Sequence, residues 1–125
     1  MYELFAERSF SAAHHLEHYA GNCSRWHGHN WTVRVKVAAD ALDHVGLGLD
    51  LRDIKSALEE ILEPMDHAVL NEVPDLEGRN PTCENLAEYF YHALGAKLNT
   101  EHARVSRAAA PATPTSAPRP SEQAA

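Results

Sequence analysis

Apolar and polar residues alternate along two early stretches of the chain, and the alternation predicts two β-strands. From Trp31 to Val37 every second residue is apolar and the intervening residues are polar or charged, as in a strand with one buried face. The stretch from Tyr2 to Ala13 alternates less regularly, but it is rich in aromatic and small residues and has no helical stripe. Turn-forming residues between Glu17 and Arg25 predict a loop that joins the two strands as an antiparallel pair.

Two later stretches have helical periodicity. Asp50 is suited to cap a helix that runs to about Leu62, where Pro64 stops it. A second helix is expected after Pro81, with Thr82 near its cap. The positions expected on the buried sides of the two helices are Leu51, Ile54, Leu58, Ile61 and Leu62, and then Leu86, Phe90, Ala93, Leu94 and residues 96–98. The predicted order is strand, strand, helix, helix.

The length and the composition predict one domain. A chain of 125 residues, of which 44% are hydrophobic and 23% charged, leaves little room for a second core. After Val105 the chain consists mainly of Ala, Pro, Ser and Thr, without aromatic residues, and such a segment buries too little apolar surface to offset its ordering entropy. We expect a single domain over residues 1–105 and a disordered tail over residues 106–125.

Charge and hydropathy exclude several classes of partner. The formal net charge of −7 and the scattered basic residues argue against nucleic-acid binding. No apolar run reaches the roughly 20 residues of a membrane span, and the charged start of the chain is unlike a signal peptide. We therefore expect a cytoplasmic protein in which Cys23 and Cys83 are free thiols.

Five of the nine histidines lie between residues 14 and 29. In His27-Gly28-His29 the two imidazoles point to the same side of an extended chain, so they can share one metal ion. His14, near the end of the preceding strand, could complete a set of three neutral nitrogen ligands. Such a set leaves a tetrahedral position open, which is typical of a catalytic zinc site.

Other interpretations of these residues remain open. The His-x-His pattern also arises by chance on solvated edges, and His15 and His18 compete with His14 for the third place. Cys23 is close enough in sequence to be a fourth ligand of a closed structural site, or a thiol that transfers protons.

Asp66 and His67 follow the first helix. Apolar residues around them suggest a fixed position, where the carboxylate could orient the imidazole for proton transfer. A helix cap at Asp66 and an ordinary surface histidine at His67 are the simpler alternatives.

Taken together, these residues resemble the 6-pyruvoyltetrahydropterin synthase and 6-carboxytetrahydropterin synthase family. The resemblance extends from about Phe10 to Leu98. The matching segments are Phe10-Ser-Ala-Ala-His14, Cys23-Ser-Arg-Trp-His-Gly-His29, Met65-Asp-His67 with Leu70-Asn71, and Asn80-Pro-Thr-Cys-Glu-Asn85.

The resemblance implies a role for each matching site residue. It implies Zn2+ bound by His14, His27 and His29. It further implies Cys23, Asp66 and His67 as catalytic proton-transfer groups, with the Asp-His pair contributed by a neighbouring subunit. The pterin pocket would include Thr82, Cys83 and Glu84, for which a plain helix N-terminus is the alternative.

The resemblance also implies a fold and an assembly. The family has the α+β tunnelling fold, in which antiparallel strands carry two helices on one face. Its members form trimeric barrels that assemble into hexamers, so we expect a homo-oligomer that acts on a small-molecule pterin triphosphate.

The Cys-x3-His-Gly-His spacing is similar to bacterial 6-carboxytetrahydropterin synthases of the queuosine and deazapurine pathway. It implies conversion of 7,8-dihydroneopterin triphosphate into 6-carboxy-5,6,7,8-tetrahydropterin, acetaldehyde and triphosphate. A 6-pyruvoyltetrahydropterin synthase, or cleavage to a hydroxymethyl product, remains an alternative with the same site.

The C-terminal stretch differs from the family pattern. Family members carry a glutamate in a Glu-Thr-Pro stretch, where it binds the pterin ring, and aligning Thr113-Pro114 with that stretch puts Ala112 at the glutamate position. Pro111 and Pro114 predict a short or absent last strand. A catalytically impaired zinc-binding homologue and a structural zinc module with Cys23 as a ligand are therefore further hypotheses.

Overall fold

The structure is a computed structural model that describes residues 1–17 and 27–114. Two helices and five strands form the described fold, with two short 3-10 turns at Leu70–Glu72 and Pro74–Leu76. In chain order the elements are β1 (Tyr2–His14), β2 (His27–Ala39), α1 (Leu51–Leu62), β3 (Ala68–Val69), α2 (Cys83–Leu98), β4 (Ala103–Ala109) and β5 (Ala112–Pro114).

The sheet has the strand order β3-β1-β2-β4, and β5 also pairs with β2. β1 and β2 run antiparallel over their whole length, from Tyr2 opposite Ala39 to His14 opposite His27. After β2 the chain passes through α1 and returns to the outer edge of β1 as the two-residue strand β3. β3 runs parallel to β1. The sheet is therefore mixed, which corrects the fully antiparallel sheet expected from the sequence.

The two helices pack on one face of the sheet, and β2 supplies the centre of the core. Trp31, Val33 and Val37 are fully buried in β2, as the alternating pattern predicted. The opposite face is charged, and Lys36 there forms an ion pair with Glu3. The helices cover the core with Ile54, Ala57, Leu58, Ile61 and Leu62 of α1 and with Leu86, Phe90, Leu94 and Leu98 of α2. Leu51, expected on the buried side, is 41% exposed.

The helix starts agree with the sequence. The side chain of Asp50 accepts a hydrogen bond from the backbone N–H of Arg52 at 2.9 Å and caps α1. Neither described helix has the length and apolar character that crossing a membrane requires.

The strands β4 and β5 correct the boundary expected at residue 105. Residues 106–109 belong to β4 and residues 112–114 to β5, and both strands pair with β2. Pro111 falls between them, where no ladder N–H is needed, and its carbonyl accepts a hydrogen bond from the N–H of Thr32 at 3.0 Å. The proline therefore divides the last strand without abolishing it, and residues 115–125 of the expected tail lie outside the described residues.

Candidate metal centre

Three histidines converge where β1 and β2 meet. The strand register places His14 directly opposite His27, and Ala12 opposite His29. One ligand atom from each of the three imidazoles lies within 4.8 Å of the others. The ring centroids are 4.4 Å apart for His14 and His27, 5.1 Å for His14 and His29, and 4.6 Å for His27 and His29. The structure thus brings together the three histidines that the family resemblance implied as ligands.

His14 is the most deeply buried of the three, with 5% of its surface exposed. Burial lowers its pKa to about 4, the Pro81 carbonyl opposes this shift, and the neighbouring His27 and His29 add to it. The ring is therefore neutral at neutral pH, which is the form that binds a metal ion.

A backbone carbonyl determines which nitrogen of His14 faces the cluster. Nδ1 of His14 lies 2.7 Å from the carbonyl oxygen of Pro81. A carbonyl can only accept, so Nδ1 carries the hydrogen and donates it, and Nε2 keeps the lone pair that a metal ion requires. Sequence reasoning missed this contact, because it joins residues 67 positions apart.

Trp31 forms one wall of the cluster. Its ring packs edge-on against His14 and His29, with centroids 5.0 Å and 5.5 Å away. The indole N–H donates to the carbonyl of Ala12 at 3.2 Å, so the polar atom of this buried ring is satisfied. The wall is therefore rigid and apolar on the side that faces the imidazoles.

Two of the rival residues lie outside the described part of the chain. His18 and Cys23 fall within residues 18–26, so the catalytic role of Cys23 stays a prediction. His15 is described, and it is not a member of the cluster of three.

Asp66 and His67 are held on the outer edge of β1. A carboxylate oxygen of Asp66 accepts a hydrogen bond from the N–H of Ser11 at 3.0 Å, and this bond is the main reason why the pKa of Asp66 lies below its usual value. The N–H of His67 donates to the carbonyl of Ser11 at 2.6 Å. Glu63 is the C-cap residue of α1, so the cap interpretation of Asp66 is wrong.

The imidazole of His67 is exposed and lies beside a carboxylate. Its Nδ1 lies 3.2 Å from Asp66, and 81% of its side chain is exposed. Its backbone has a φ of 60°, a left-handed conformation that is uncommon outside glycine and is often found at functional sites. The carboxylate can thus orient the ring, while the other ring nitrogen faces outward.

Thr82, Cys83 and Glu84 form the start of α2. The hydroxyl of Thr82 accepts a hydrogen bond from the N–H of Asn85 at 3.0 Å and caps the helix, and Glu84 lies exposed in the first turn. Burial raises the pKa of the half-buried Cys83 thiol. The capping role of Thr82 is therefore present, and pterin binding by the three residues stays a prediction.

Ala112 occupies a position between the strands and α2. It lies opposite Trp31 in the β2–β5 ladder, and its backbone forms a hydrogen bond with the Cys83 thiol. β5 therefore links the metal-centre strand to the start of α2, and its residue at this point carries no carboxylate.

Comparison with known proteins identifies the family. The model of the 6-pyruvoyl tetrahydropterin synthase family matches residues 3–119. The chain belongs to this family.

Named relatives support the assignment to the 6-pyruvoyl tetrahydropterin synthase family. A 6-carboxy-5,6,7,8-tetrahydropterin synthase of Synechocystis is 36% identical over 99 residues, which cover 75% of each chain. The enzyme of the same name from Bacillus subtilis is 35% identical over 104 residues, which cover 79% of this chain and 69% of that one.

The fold agrees with the family. The 6-pyruvoyl tetrahydropterin synthase structure from Caenorhabditis elegans has a TM-score of 0.66 and 30% identity, and the match covers 80% of this chain and 82% of that one. The expected α+β tunnelling fold is confirmed, with the mixed sheet noted above.

Proposed function

We propose that this protein is a zinc-dependent 6-carboxy-5,6,7,8-tetrahydropterin synthase. Its reaction would convert 7,8-dihydroneopterin triphosphate into 6-carboxytetrahydropterin, acetaldehyde and triphosphate, and thereby serve queuosine or deazapurine biosynthesis. The observation that carries the proposal is the convergence of His14, His27 and His29 within 4.8 Å, in a chain whose relatives at 35% and 36% identity are named for this reaction.

The donor set fits zinc. Three neutral imidazoles are a common ligand set of catalytic zinc, and the buried His14 remains neutral at neutral pH. Zinc bound there supplies a Lewis acid that polarises an oxygen of the substrate side chain.

The protein's own groups would move the protons. Asp66 accepts from Ser11 and holds Nδ1 of His67 at 3.2 Å, so Nε2 of His67 is the atom that exchanges a proton with the substrate. Cys23 would be the second proton-transfer group. Thr82, Cys83 and Glu84 at the start of α2 would bind the pterin.

A second function is favoured by Ala112. If this position holds a pterin-binding glutamate in active members of the family, alanine here removes a bidentate hydrogen-bond acceptor. The position lies opposite Trp31, whose ring packs against His14 and His29. The protein would then bind zinc without turnover. A 6-pyruvoyltetrahydropterin synthase is a third candidate, and its product distinguishes it from the first.

The assembly and the location belong to the same proposal. We infer a homo-oligomer built from trimers, up to a hexamer, in the cytoplasm. The exposed position of His67 is compatible with a role at a neighbouring subunit's site.

The decisive test is product analysis by mass spectrometry. We expect zinc-loaded protein to convert 7,8-dihydroneopterin triphosphate into 6-carboxytetrahydropterin and acetaldehyde, and H29A to lose both zinc and turnover. H44Q, which alters an exposed histidine of the β2–α1 connection, is the matched control and retains both.

Each other outcome selects a different function. Formation of 6-pyruvoyltetrahydropterin would show that the protein is a 6-pyruvoyltetrahydropterin synthase. Stoichiometric zinc with unchanged substrate would show that it is a non-catalytic zinc-binding homologue. Under the proposal C23A keeps its zinc, whereas a structural site predicts that C23A loses zinc and unfolds.

A further inference from the structure

Two asparagine side chains hold the chain as it leaves His14. The N–H of His15 donates to Oδ1 of Asn71 at 3.0 Å, and Nδ2 of Asn71 donates to the carbonyl of His15 at 3.0 Å. Asn80 makes the same pair of bonds to the backbone of Glu17, each 2.8 Å long. Each side-chain amide therefore makes the two hydrogen bonds that a neighbouring strand would make, because it binds both the N–H and the carbonyl of one backbone residue.

Asn80 also fixes the carbonyl that contacts His14. Its neighbour Pro81 accepts the hydrogen bond from Nδ1 of His14 at 2.7 Å. The carbonyl of Asn80 itself accepts from Nδ2 of Asn85, 2.8 Å away, in the first turn of α2. The segment that presents the Pro81 carbonyl is thus tied to α2 on one side and to Glu17 on the other.

Two kinds of contact act on the His14 ring, one through its backbone and one at Nδ1. The orientation of the ring depends on the backbone that carries the side chain and on the Pro81 carbonyl that Nδ1 contacts. Asn71 holds the backbone of the next residue, His15, and Asn80 holds the backbone of Glu17, three residues after His14. Groups that orient a ligand in this way commonly change metal affinity when they are removed.

We propose that Asn71 and Asn80 are positioning residues of the metal centre, which direct Nε2 of His14 toward His27 and His29. The inference rests on the proposed function for the identity of the ion, but the orientation of the ring is a property of the protein itself. The two asparagine side chains contact the backbone of His15 and Glu17, so each would act through the chain that carries His14.

The test compares N71A and N80A with N99A. Asn99 is a matched control because its side chain also accepts a backbone hydrogen bond, from Val105 at 2.8 Å, in the α2–β4 connection. We expect N71A and N80A to bind zinc at least about tenfold more weakly in competition with a chromophoric chelator. N99A is expected to lose stability but to keep the wild-type zinc affinity.

A second readout uses metal-free protein. The ¹⁵N chemical shifts of the His14 ring report the tautomer, and we expect a single Nδ1–H form in the wild type and in N99A, but a mixture in N80A. If N80A does not fold, N80D is used instead. Aspartate has the same shape as asparagine and still accepts from the N–H of Glu17, but it cannot donate to the carbonyl of Glu17.

The outcomes separate this inference from the proposed function. Wild-type affinity and a wild-type tautomer in N71A and N80A would overturn the positioning role, whatever the enzyme's product. Weakened zinc binding with a mixed tautomer would support it even if the wild type showed no turnover. If the wild type bound no zinc, the proposed function would fail and the ring spectra alone would decide the inference.

Discussion

A buried imidazole dominates the chemistry at the scale of single residues. Of the residues that the structure describes, His14 is the one polar residue that is buried, with 5% of its surface exposed. Burial disfavours the charged form of this ring, and the Pro81 carbonyl only partly offsets this effect. The folded protein therefore resists protonation of this ring more strongly than the unfolded chain does.

This difference predicts how the stability of the metal-free protein depends on pH. The pKa of His14 is about 4 in the folded state and about 6.5 in the unfolded chain, so the unfolded chain binds the extra proton between these values. The free energy of unfolding should be highest above pH 6.5 and should fall as the pH is lowered toward 4. Urea titrations over this range measure it.

The variant H14Q isolates this contribution. It cannot titrate, so its free energy of unfolding should change less between pH 6.5 and 4 than that of the wild type, whereas H44Q should follow the wild type. If the free energy of unfolding depended equally on pH in the wild type and in H14Q, the lowered pKa of His14 would be contradicted.

At the scale of elements, the start of α2 combines stability with a predicted binding role. Thr82 caps the helix, and Asn85 of the same turn holds the segment that contacts His14. Both the cap and the helix were predictable, because cap residues and apolar spacing are local signals. The link from Asn85 through residue 80 to the end of β1 was not, because it depends on packing between distant segments.

Replacing the cap should separate the two roles. We expect T82A to lower the free energy of unfolding by about 1 kcal/mol, since an N–H of the first turn loses its partner, while T82S keeps most of the stability. Chemical denaturation measures this change. A rise in KM for T82A that exceeds the rise for T82S would indicate contact with the pterin, and an unchanged KM would limit Thr82 to capping.

At the scale of the whole molecule, the three histidines and the Asp-His pair occupy different parts of one sheet. The histidines lie at the β1–β2 junction, whereas Asp66 is bound to Ser11 on the outer edge of β1. β3 protects this edge only at Ala12 and Ala13. Asp66 and His67 bind the backbone of Ser11, and among the described residues no strand pairs with this edge from Tyr2 to Phe10. The unpaired part of the edge suits the proposed assembly.

Subunit mixing tests whether the pair serves a neighbouring site. We expect H29A and H67A each to be inactive alone, and their mixture, after dissociation and reassembly, to recover part of the wild-type turnover. Recovery requires one intact metal centre and one intact Asp-His pair from different chains. A mixture without activity, in oligomers shown by mass spectrometry to contain both variants, would contradict shared sites.

Sequence patterns predicted the parts of this molecule that depend on local periodicity. The alternation around Trp31, both helices and the convergence of His27 and His29 follow from repeats of two or of about 3.6 residues. The parallel strand β3 and the pairing of residues 106–114 with β2 did not, because an Ala-rich, Pro-containing segment has weak intrinsic preference. Tertiary pairing with a fully formed β2 overrides that preference.

Because His14 pairs directly with His27, a metal ion bound at this proposed site would also act as a cross-link in the fold. An ion shared by the two residues cross-links the ends of the connection formed by residues 15–26, much as a disulfide would. The entropy of closing such a connection rises only slowly with its length. Insertions between His14 and His27 can therefore lengthen this connection without displacing either residue.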